Sequence, residues 1–82
     1  KQTLLQDIHS FENYLEIWIK TVHYSALDKE RSVNYLKVLE KLEKAKKQTI
    51  KREFLRSLTC MNESLQGFNK IDKELQKKGL SI

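Results

Sequence analysis

Residues 4–22 read LLQDIHSFENYLEIWIKTV, and their spacing decides the fold class. Leu4, Ile8, Phe11, Leu15, Trp18 and Val22 follow one another at alternating steps of four and three. That is a heptad seam, which keeps one face of a helix apolar along its whole length. Leu5 and Ile19 widen the stripe on one side. Thr3 stands just before the seam with Gln6 three residues later, a pair that forms a capping box over the first orphan amides. The spacing predicts a first helix from about Leu4 to about Ala26, roughly 33 Å long at 1.5 Å per residue.

Outward from this stretch, Asp28 is a good N-cap, and Glu30 suits the positive end of a helix dipole. A second helix is expected over about 29–46. Its apolar residues, Tyr35, Leu36, Val38, Leu39, Leu42 and Ala45, spread over about half the circumference at 100° per residue. So broad a face usually meets two neighbours. Glu40–Lys44 and Glu43–Lys47 pair favourably along the outer side. Apolar density falls between Ala45 and Glu53, where Ile50 is the one large hydrophobe, yet nothing there breaks a helix. The segment therefore permits a turn, or one rod of about 48 residues, near 72 Å, that needs a partner chain to cover it.

A third helix is expected over about 50–78. Phe54, Leu58, Met61, Leu65 and Phe68 form its seam, continued by Leu75 and flanked by Leu55 and Ile71. Gly67 interrupts the composition at a cost of about 1 kcal/mol relative to alanine. Lys77 and Lys78, Gly79 and Leu80 carry the marks of a glycine-capped end. The expected fold is all-α: an antiparallel three-helix bundle, or alternatively a long helical hairpin completing its core by dimerisation.

Composition agrees. The chain has 82 residues, two glycines and no proline, which favours helix and fits one small domain over 1–82. A single cysteine excludes a disulfide scaffold and points to an intracellular, reducing compartment. No apolar run approaches the roughly 18 residues of a membrane span. The chain opens on Lys1 rather than Met, as a fragment or processed product would, and carries no charged-then-apolar leader.

Phe11, Tyr14, Leu15 and the pair Trp18–Ile19 resemble the first helix of spectrin-type repeats. There a tryptophan followed by an aliphatic residue packs into a three-helix bundle. The resemblance implies a left-handed triple-helical bundle. It is confined to this helix, since the later segments carry no matching motif.

The chemistry-bearing residues argue against catalysis. His9 and His23 lie about 21 Å apart along one helix and cannot share a metal. Glu-x-x-His, the bundle motif for paired metals, is absent. Cys60 sits beside Met61 as a small core or boundary residue, and the two glycines are too far apart for a phosphate loop. Asn62-Glu63-Ser64 fits the glycosylation pattern but reads as a chance tripeptide on a helix. No enzyme activity, metal or cofactor is expected.

Two surfaces remain. Tyr14, Ile17 and Tyr24 share a side of the first helix away from its seam, and are expected to meet another protein or a second copy of the chain. The leading functional expectation is therefore a non-catalytic interaction or assembly module within a larger complex. The alternative rests on charge. The chain carries +5 at pH 7, and residues 37–56 hold eight basic and three acidic side chains. Lys46, Lys47, Lys51, Arg52 and Arg56 centre this segment, which would attract a nucleic acid or an anionic membrane.

Overall fold

The computed structural model describes residues 3–21 and 27–77, which form three α-helices: α1 Leu4–Thr21, α2 Lys29–Ile50 and α3 Phe54–Lys77. The chain is an all-α three-helix bundle, 39 Å along its longest axis. That length excludes the 72 Å rod. The expected cap of α1 forms: the Gln6 backbone N–H donates to Thr3 Oγ1 (3.2 Å), and the Thr3 N–H donates to Gln6 Oε1 (2.8 Å). Asp28 caps α2 by accepting from the Arg31 N–H at 2.8 Å. Expectations for Val22, His23, Tyr24, Ser25 and Ala26, and for Lys78, Gly79 and Leu80, fall outside the described residues.

The turn between α2 and α3 differs from the sequence expectation. α2 continues past Lys46 to Ile50, and Lys51, Arg52 and Glu53 make the turn. The Glu53 N–H donates to the Gln48 carbonyl (2.8 Å), and the Arg52 N–H donates to the Thr49 carbonyl (3.0 Å). This is a Schellman end with Arg52 in the left-handed position at φ 64°. Glycine is the usual occupant there. With an arginine instead, nothing in the composition marks the site, so the sequence leaves the boundary open.

The core joins all three helices. Ile8, Leu15 and Trp18 of α1 are buried with Tyr35, Val38, Leu42 and Ala45 of α2 and with Phe68, Ile71 and Leu75 of α3. Trp18 is buried among all three helices. It stacks on Tyr35 with ring centroids 5.7 Å apart and meets Phe68 edge-on at 4.9 Å. Its indole N–H donates to Asp72 Oδ1 (3.3 Å), which satisfies the one polar atom of a buried ring.

The third helix corrects the seam read from sequence. Phe54 and Leu58 remain about half exposed, and Met61 and Leu65 are only partly buried. Between Ser57 and Gly67 the buried residues of α3 are small ones, Ser57, Cys60 and Ser64, with Gly67 alongside, before the large Phe68, Ile71 and Leu75 take over. The Ser64 hydroxyl donates across the interface to the Val38 carbonyl, and the Ser57 hydroxyl to the Ala45 carbonyl, both at 2.9 Å. Thr49 Oγ1 also lies 2.9 Å from the Ala45 oxygen and hydrogen-bonds with Ser57 Oγ. Small side chains let the two backbones approach closely, and their hydroxyls find partners in carbonyls already committed to α2. At Gly67 a Cβ would stand 3.1 Å from Val38 Cγ2, tighter than an ordinary contact, so a larger residue there needs Val38 to give by a few tenths of an ångström.

Ion pairs fasten the ends. Arg31 bridges Asp28 (2.5 Å) and Glu74 (2.7 Å), tying the start of α2 to the last turns of α3. Desolvation works against its charge, but Asp28 and Glu74 outweigh that and raise its pKa.

Candidate interaction surface

Four large apolar side chains gather where α2 turns into α3. Ile50 is 68% exposed, Phe54 50%, Leu55 82% and Leu58 43%. Phe54, Leu55 and Leu58 stand at i, i+1 and i+4, so they share one face of the first turns of α3. The face belongs to the seam that meets α1 lower down, where Phe68 touches Phe11, Tyr14 and Trp18. Met61 and Leu65 pack partly against the core, but the residues nearer the turn do not. The sequence places Phe54 and Leu58 in a heptad seam. It carries no sign that they stay about half exposed.

The same end is basic. Residues 47–56 hold four basic side chains and one acidic one. Lys47, Lys51 and Arg52 are exposed, and among the described residues no carboxylate pairs with them. Arg56 pairs with Glu53 (3.0 Å), although its own side chain stays largely exposed. Lys46 stands apart from this group. It bonds Glu12 of α1 at 2.8 Å and Glu43 at 3.5 Å, so its charge holds α1 against α2. Its hydrogen bond to Glu12 raises its pKa, the Glu12 and Glu43 charges add to this, and desolvation opposes it. Of the five basic residues singled out in the sequence, four therefore cluster at the turn and one is structural.

The strip expected on α1 is only partly placed. Tyr14 and Ile17 are exposed at 49% and 65%, whereas Tyr24 lies outside the described residues. The Tyr14 ring meets Phe68 edge-on at 5.7 Å, so half of this residue serves the bundle.

The remaining candidates resolve into structural roles. Among the described residues no three of His, Cys, Asp and Glu gather as a metal-binding group. His9 pairs with Glu12 at 3.1 Å on the surface. Cys60 is a buried free thiol in the α2–α3 seam. Ser64 of the glycosylation tripeptide is wholly buried and bonded to Val38, which removes it from the surface where such a site is read. A shallow groove over Gly67 is lined by Lys37, Lys41, Glu63 and Lys70, and the Lys41–Glu63 pair (3.3 Å) spans it. Among the described residues no helix is long and apolar enough to cross a membrane. Compared with protein-family models, with curated proteins and with solved structures, the chain matches none of them.

Proposed function

We propose that the chain is a non-catalytic interaction module that docks through the end of the α2–α3 hairpin. One observation carries this reading: Ile50, Phe54, Leu55 and Leu58 are exposed together at that end. Scattered apolar residues are normal on a protein surface, but four large exposed ones within nine residues of the same turn support a docking surface there. Being largely exposed, these side chains add less to folding than the buried core does. Tyr14 and Ile17 form a smaller apolar pair on α1 that a second contact would use.

Replacing Ile50 and Leu55 together by serine tests the reading. Surface positions of this kind usually change stability by no more than about 0.5 kcal/mol each. The expected result is unchanged thermal unfolding with loss of retention on a phenyl matrix. A double variant that unfolds at markedly lower temperature would place both side chains in the fold rather than in docking.

A second reading, polyanion binding, is favoured by the exposed Lys47, Lys51 and Arg52. Retention on a heparin matrix that falls steeply with salt supports it, and salt-independent retention removes it.

A further inference from the structure

We propose that this hairpin end docks on the surface of an anionic lipid bilayer, with Ile50, Phe54 and Leu55 entering the headgroup layer and Lys47, Lys51 and Arg52 meeting its negative charge. The inference rests on the reading of the hairpin end as the docking end and names what occupies it.

Three observations select the occupant. First, exposed apolar and basic side chains are mixed within one nine-residue segment at the turn, Lys47, Ile50, Lys51, Arg52, Phe54 and Leu55, so both kinds are presented at the same end of the hairpin. An anionic interface offers hydrocarbon beneath negative headgroups, which matches both sets at once. Second, the segment is the turn where α2, one of the two longest helices, ends and α3, the other, begins, which lets this tip enter a soft layer to a depth of about 5–10 Å. Third, the charge disfavours the other occupants. Two copies meeting tip to tip would bring like charges together. A nucleic acid would use the cations, but Leu55 and Ile50 offer no flat ring on which a base stacks, and Phe54 is the one aromatic of the segment.

The test is co-sedimentation with vesicles of phosphatidylcholine, with and without phosphatidylserine, using the whole chain. The wild type is expected to bind only the phosphatidylserine vesicles, and to release as salt rises. The double variant I50S/L55S is expected to bind at least about tenfold more weakly, as the loss of two inserted apolar side chains requires. K47E/K51E, which leaves the apolar tip intact, is expected to lose the preference for phosphatidylserine. Absence of wild-type binding at low salt overturns the proposal, as does undiminished binding by I50S/L55S. Equal binding of a DNA duplex at the same salt assigns the cations to nucleic acid and also overturns it. So does a concentration-dependent dimer, seen by sedimentation, that I50S/L55S abolishes. Far-UV circular dichroism and thermal unfolding of each variant separate these failures. A folded I50S/L55S chain with no lipid binding in the wild type removes the bilayer but leaves a docking end. An unfolded one removes the docking end itself.

Discussion

The two interfaces of this bundle are built on opposite plans. Along the half of the α2–α3 interface nearer the turn, Ser57, Cys60, Ser64 and Gly67 face Val38, Ala45 and Thr49, and side-chain hydroxyls bond straight to main-chain carbonyls. Between α1 and the other two helices the contacts are rings: Trp18 on Tyr35, and Phe11, Tyr14 and Trp18 around Phe68. Side-chain volume sets how far apart two helices stand. The first interface is close and has little room for added volume. The second is wide and depends on keeping its volume.

The largest effect should come from emptying the wide interface. Trp18→Ala removes the central ring and is expected to destabilise by about 3–5 kcal/mol, measured by chemical denaturation. Hydrogen exchange should show α1 amides losing protection before those of α2 and α3. Uniform loss across all three helices would break the distinction between the interfaces.

Filling the close interface should come next. Ser64→Leu forces a large side chain between α2 and α3 and is expected to cost about 1–3 kcal/mol. Leucine at Ser64 being neutral would show that the two backbones are not held at close range. A smaller effect of opposite sign is expected at the turn that joins these helices. Arg52→Gly relieves a left-handed arginine and should stabilise by up to about 1 kcal/mol in the same denaturation assay. A loss of stability would show the Arg52 side chain contributing more than the backbone conformation costs.

The smallest effect concerns the pair that holds α1 to α2. Glu12 raises the Lys46 pKa in the folded chain above its unfolded value. Its contribution is therefore complete below the unfolded lysine pKa and disappears as pH rises through the folded one. Thermal unfolding followed above the ordinary lysine range should show a slight loss in the wild type that Glu12→Gln lacks. The pair is partly exposed, so raised salt should shrink the difference.

Much of the architecture can be read from local pattern. The seam Ile8, Phe11, Leu15 and Trp18 is buried as spaced, and the caps at Thr3 and Asp28 form as their side chains dictate. On α3 the same reasoning follows the wrong face near the turn. Phe54 and Leu58 continue a heptad, yet burial goes to Ser57 and Ser64, because hydrophobicity counts transfer from water and is blind to how closely two backbones can approach. Of the docking end, the basic residues are legible as a charge run. Their separation into Lys46, paired with Glu12, and the exposed cations of the turn depends on a helix more than thirty residues earlier.

By itself, then, the chain determined three helices, the start of two of them and the face by which α1 enters the core. These follow from hydrogen-bond geometry and periodicity within a few neighbouring residues. The tertiary structure alone decided where α2 ends, which face of α3 packs against α2, and that Ile50, Phe54 and Leu55 stand uncovered beside Lys47 and Lys51. Each of those depends on distances between segments remote in sequence: how near a glycine lets one helix come, and how far along a seam its partner extends.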